Sequence, residues 1–189
     1  MNKTKQNRRV AIFGTLRILT ISAVLCAMSI VCGKYLAIRG GDILRFSFEN
    51  LPVILSGMMF GPIVGGAVGV CADLVGCLLV GYAINPVVTI GAALIGFLAG
   101  GVYRLTRRLP YGVRVTLAVS LAHLVGSVLV KTLGLSAFYD LPLGVLFLWR
   151  LLNYAIVGTA EALLVYFILR HRSLDSLVRR ETQRRPERK

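Results

Sequence analysis

Charge is what this 189-residue chain has least of: only 16% of its residues are charged, and only eight of those are acids. Soluble domains carry about 25% charged and 45 to 50% apolar residues. A chain that is 56% hydrophobic, with a mean hydropathy of +0.75, therefore has lipid as its solvent, and a large cytosol-dissolved enzyme is excluded. The chain also lacks the usual hydrolytic and nucleotide motifs. Gly33-Lys34 is followed by tyrosine and has no upstream glycine, so there is no P-loop and any ATP-driven work needs a partner. Neither Gly-x-Ser-x-Gly nor His-Glu-x-x-His occurs, which leaves nucleophilic and zinc hydrolysis unsupported. The four cysteines, Cys26, Cys32, Cys71 and Cys77, lie in apolar runs without a histidine at ligand spacing and read as buried free thiols; no metal or cofactor is called for.

What charge there is sits in particular places. Lys3, Lys5, Arg8 and Arg9 occupy the first 14 residues without an acid, and residues 170–189 hold eight basic and three acidic groups. The net charge of +14 is thus carried largely by tails and short loops. That pattern orients a membrane protein and attracts anionic headgroups; nucleic-acid binding would need a basic surface on a soluble fold.

A bilayer core of about 30 Å takes roughly 20 helical residues per crossing. Ile18–Gly33, between Arg17 and Lys34, is the first such stretch, and the absence of a small-residue cleavage site followed by a polar mature start argues against a removed signal peptide. Leu51–Tyr103 holds a single charge, Asp73, and the turn signals at Gly61-Pro62 and Gly81–Pro86 divide it into three, the first short or broken. Val115–Val130, bounded by Arg114 and Lys131, is the fifth, and Leu143–Leu169, containing Arg150 and Glu161, the sixth. The expected fold is an all-α membrane protein of six transmembrane helices: a basic tail over 1–14, a helical domain over 15–170 and a second basic tail over 171–189. Arginines in the tails and in the 104–114 loop put both termini in the cytoplasm by the positive-inside rule. Lys34, Arg39 and Arg45 then face outward, a hint that an anion is received there. Eleven of twenty glycines fall between Gly57 and Gly101, where close packing or irregular backbone beside a cavity would use them.

Several polar residues sit within or beside the apolar runs. Gly65 with Gly69 and Gly96 with Gly100 read as internal packing faces, while Ala23 and Ala27 suit either packing or a docked subunit. Asp73 needs a partner or a proton, and Glu161 reads as a packing or coupling residue. His123 reads as packed and hydrogen-bonded, without a second metal ligand nearby. Arg150, with Trp149, Asn153 and Tyr154 near it, offers a forked donor, an amide and aromatic faces for a planar, anionic ligand. Arg45, Phe46, Tyr82 and Asn85 fall at the same membrane face.

Arg45-Phe-Ser-Phe-Glu-Asn-Leu-Pro52, Met58-Met-Phe-Gly-Pro62, Ala72-Asp-Leu-Val-Gly76 and Gly81-Tyr-Ala-Ile-Asn-Pro86 together resemble the S components of energy-coupling factor (ECF) vitamin transporters, most closely the folate branch. The likeness extends over nearly the whole chain. It implies a prokaryotic, multi-pass cell-membrane protein, not an enzyme, that captures a vitamin from outside through an outward-facing cavity. It also implies a transmembrane coupling subunit and two cytoplasmic ATPases as partners, with Ala23 and Ala27 meeting the coupling subunit. For folate, the chemistry of the residues assigns Arg150 and Arg45 to the glutamate carboxylates and Asn85 and Asn153 to the pterin edge. Phe46, Tyr82, Trp149 and Tyr154 would form the walls. The competing readings are an S component for another vitamin or heterocycle, and an intramembrane enzyme built on Asp73.

Overall fold

The computed structural model describes residues 16–40, 44–139 and 142–170, with the side chains of 38–40, 44 and 45 left out. Both tails, and Asp140, lie outside the described residues. Six helical stretches follow one another: α1 (Leu16–Tyr35), α2 (Asn50–Phe60), α3 (Pro62–Val80), α4 (Pro86–Leu105), α5 (Tyr111–Tyr139) and α6 (Leu143–Arg170). Between α1 and α2 stands a small antiparallel hairpin, β1 (Ile38–Gly40) with β2 (Leu44–Phe46), in which Arg39 lies opposite Arg45. Period-2 patterning over three residues is too short to be read from sequence, so the hairpin was not expected.

Five of the helices are long and apolar enough to cross a bilayer. The sixth, α2, has 11 residues, about 16 Å at 1.5 Å per residue. Its sequence is apolar on every side, and such a helix belongs in an interior. Asn50 through Met58 are all buried. Leu51, Ile54, Leu55 and Met58 form the middle of a core completed by Val64 and Val68 from α3, Ile95 and Ala99 from α4, Val115, Ala118, Val119 and Ala122 from α5 and Val165 from α6.

The glycines of α2, α3 and α4 permit this packing. A Cβ on Gly96 would overlap the Gly65 carbonyl, and one on Gly100 would overlap the Gly57 carbonyl, so the backbones of the three helices touch directly. The packing reading of both glycine pairs therefore holds. Gly61 (φ 108°) turns the chain sharply between α2 and α3, and the guanidinium of Arg104 donates to the Phe60 carbonyl beside it.

Two boundaries differ from the sequence reading. α5 begins at Tyr111 and runs without interruption through Lys131 to Tyr139, where a boundary at Val130 was expected. Lys131 does not end the helix because its charge is buried against Glu49 rather than left facing water. The cysteines are free, as expected, but only Cys77 is buried; Cys71 is exposed on α3, where lipid rather than protein is the apolar surrounding.

Candidate ligand site

The C-terminal end of α1, the hairpin, the start of α2, the end of α3, the start of α4 and the later half of α5 meet at one end of the bundle. There the last turn of α1, which widens into π-helical geometry over Val31–Tyr35, delivers Lys34 inward. Its ammonium lies 5.3 Å from the centre of the Tyr82 ring and 4.0 Å from Cys77 Sγ. From α5, Lys131 Nζ reaches Glu49 Oε1 at 3.4 Å. Ser29 Oγ donates to the Glu49 carbonyl at 2.6 Å, fixing the chain at the entry to α2. Asp73 of α3 accepts a 2.7 Å bond from Thr89 Oγ1 of α4, which supplies the partner that a carboxylate at that depth requires.

Ser29, Lys34, Glu49, Asp73 and Lys131 line a cavity of about 30 Å³ together with Asn50, Gly69 and Ala92. Asn50 is 3% exposed, and its Nδ2 has no hydrogen-bond partner among the described residues. An unpaired buried amide costs about 1–3 kcal/mol, which makes Asn50 a candidate donor to a bound solute. Glycines make room for the long side chains. A Cβ on Gly33 would lie 2.7 Å from the Glu49 carboxylate, one on Gly76 2.8 Å from Lys34 Cε, and one on Gly91 2.6 Å from Lys131 Cγ. The glycine-rich stretch thus serves the charged cluster as well as the helix contacts. Two ammonium groups, two carboxylates and an amide offer donors and acceptors to a polar heterocycle. Among the described residues no group of three or more His, Cys, Asp or Glu is placed to hold a metal.

A second polar chain joins α5 to α6. His123 Nε2 and Glu161 Oε2 are 2.6 Å apart, both side chains buried, and Tyr154 stacks on the imidazole with centroids 4.9 Å apart. The π-helical segment His123–Val130 exposes the Ser127 carbonyl, which accepts from Arg150 Nη1 at 2.9 Å. Beside it an open furrow of about 500 Å³ runs between the two helices.

The residues expected to bind ligand are distributed over this end of the molecule but do not all converge. Arg150 and Tyr154 belong to the α5–α6 chain, and β2, carrying Phe46, packs against α6. The side chain of Arg45 lies outside the described residues. Tyr82 is half-exposed beneath Lys34, Trp149 is similarly exposed, and Asn153 is partly buried. Asn85 is buried as the N-cap of α4: Oδ1 accepts from the Val87 and Val88 amides, and Nδ2 donates to the Gly134 carbonyl at 2.8 Å. An asparagine directly before Pro86 is a helix-start signal, and that signal was available in the sequence. Ala23 and Ala27 are both exposed on α1. Sequence reasoning marks Lys34 only among the outward cations and does not single out Glu49, Asn50 or Lys131, because charges flanking apolar runs read as helix boundaries.

Residues 17–170 match the family described as the substrate-specific component of ECF transporters. The folate transporter FolT of Clostridium novyi (strain NT) is 31% identical over 145 residues, covering 76% of this chain and 83% of that one. A crystal structure of FolT bound with folic acid superposes with a TM-score of 0.68 at 28% identity, covering 82% of this chain and 93% of that one. The S component for biotin from an ECF-type ABC transporter shares the fold, with a TM-score of 0.63 at 19% identity over 88% of this chain and 91% of that one. The chain belongs to the family of ECF transporter substrate-specific components. It is a multi-pass membrane protein, and membership implies solute binding within a transporter rather than catalysis.

Proposed function

We propose that this chain is the substrate-binding subunit through which a prokaryotic cell imports folate, acting with a transmembrane coupling subunit and two ATPases. The observation that carries the reading is the likeness to FolT, in sequence and in the structure bound with folic acid. The polar cavity between α1, α2, α3, α4 and α5 supports it chemically. Glu49 and Asp73 match the amino and ring N–H donors of a pterin, and Asn50 supplies the amide hydrogen bond expected of Asn85. Lys34, Lys131 and Arg150 are the cations nearest to hand for the glutamate carboxylates, with Arg45 on the hairpin. Phe46, Tyr82, Trp149, Asn153 and Tyr154 are the further candidates, and none of them lines the cavity itself.

A cavity of about 30 Å³ is an order of magnitude below the 300–1,000 Å³ of small-molecule sites, so the walls must part for a vitamin to enter. The cytoplasmic placement of both tails and the outward placement of the hairpin follow from the arginines of the 104–114 loop. In this reading α2 is a buried, short crossing, and Ala23 and Ala27 meet the coupling subunit.

The test is equilibrium binding of folate to the detergent-purified chain, with riboflavin, thiamin and biotin as competitors. Saturable binding displaced only by folates is expected. Displacement by another vitamin would move the assignment to a different solute of the same family, and the absence of any vitamin binding would overturn it.

A further inference from the structure

The furrow between α5 and α6 lies apart from the polar cavity and shares no lining residue with it. It runs from Gly112 and Tyr166 at the arginine-rich end to Val128 and Leu151 deeper in the bundle. Residues 112–128 of α5 and 151–166 of α6 each span roughly 23 Å at 1.5 Å per residue. A furrow of this length, open along its side and lined mainly by apolar groups, suits one extended hydrocarbon chain. Its walls are mainly apolar. Ala155, Gly158 and Ala162 keep the α6 side shallow, and Leu124, Val128 and Leu163 flank it. Among the hydroxyls of the α6 wall, that of Thr159 donates to the Ala155 carbonyl.

The end of the furrow is charged in one sense. Tyr166 forms its last wall, and Arg170 donates from Nη1 to the Tyr166 hydroxyl at 2.6 Å. Arg107 and Arg108 are exposed in the neighbouring turn between α4 and α5. No acid among the described residues offsets them. Glu49 and Asp73 lie toward the opposite end, and Glu161 is engaged by His123.

We infer that the α5–α6 furrow binds one acyl chain of an anionic phospholipid, with Arg107, Arg108 and Arg170 receiving its headgroup. The chain length, the apolar walls and the one-signed mouth each correspond to a part of that molecule. Lipid bound there would also cover His123 and Tyr154, the furrow's contact with the buried pair.

The test is native mass spectrometry of the full chain in detergent, titrated with dioleoyl phosphatidylglycerol or dioleoyl phosphatidylcholine. Retention of one phosphatidylglycerol per chain is expected, with a preference of about fivefold or more, because basic residues near a membrane surface attract anionic headgroups. Ser120→Phe with Ala155→Phe, both at exposed positions in the furrow, should lower retention of both lipids by about tenfold by filling the space. Arg107→Gln with Arg108→Gln and Arg170→Gln should remove the preference and leave phosphatidylcholine retention as it was. If the filled furrow retains lipid like the parent chain, or if the parent retains both lipids equally, the inference fails. Should the phenylalanine variant not fold, the arginine variant, altered only at exposed positions, decides: an undiminished preference overturns the assignment.

Discussion

Glu161 on α6 and His123 on α5 meet at 2.6 Å in a part of the bundle where both side chains are buried, and Glu161 Oε1 has no further hydrogen-bond partner among the described residues. Breaking a buried pair by removing one member typically costs 3–5 kcal/mol. Glu161→Ala should therefore lower the thermal unfolding temperature in detergent sharply, while Glu161→Gln, which can still hydrogen-bond to the imidazole, should lower it much less. Equal loss in both variants would mean that the charge itself, and not the hydrogen bond, holds α5 to α6.

The direct contact of α3 with α4 makes a different prediction. Gly96→Ala places a methyl group on the Gly65 carbonyl, where neither backbone can withdraw without moving its helix. Overpacking of this kind costs about 1–3 kcal/mol or more. Gly101→Ala, where nothing lies within 4 Å, is the control and should leave the unfolding temperature unchanged.

Lys131 couples the cavity to α5. Lys131→Met keeps the bulk of the stem and removes the ammonium, leaving Glu49 without that partner. Folate affinity in the purified chain should fall by at least about tenfold, the scale expected when one member of a buried charge pair is truncated. Unchanged affinity would place the carboxylate-binding cations elsewhere.

Arg150 is the cation to which that outcome would turn. Arg150→Ala removes the bond to the Ser127 carbonyl along with any bond to ligand, and folate affinity should fall by more than about tenfold. Arg150→Lys should not restore it, since an ammonium cannot reproduce the planar fork. Full binding by the alanine variant would take Arg150 out of the site.

Ala23 and Ala27 predict a separation of functions. Both are exposed on α1, and neither lines the polar cavity. Ala23→Leu with Ala27→Leu should leave folate binding by the isolated chain within about twofold while abolishing co-purification with the coupling subunit, because a close helix–helix approach needs small side chains. Loss of folate binding instead would show that this face packs within the chain.

Much of the fold was legible because lipid imposes simple rules. A helix that crosses a bilayer needs a certain length of apolar residues, and Gly61-Pro62 and Gly81–Pro86 break the long run where the turns occur. The site was less legible. Arg150 and Tyr154 were singled out by their chemistry, and the structure brings both onto the chain around His123. Lys34 and Lys131 were read as ends of helices, yet both turn inward.

The sequence by itself determined that the chain lives in a membrane, how many apolar stretches it has, and that Asp73, Glu161 and His123 each required a partner. Only the tertiary structure decided which partners they were. Lys131 is 82 residues from Glu49, and His123 is 38 residues from Glu161. Separations of that size carry no local signal. The pairings exist because glycine contacts bring α2, α3 and α4 close enough for long side chains from α1 and α5 to reach across, and because a charge in a medium of low dielectric is stable only where another group meets it.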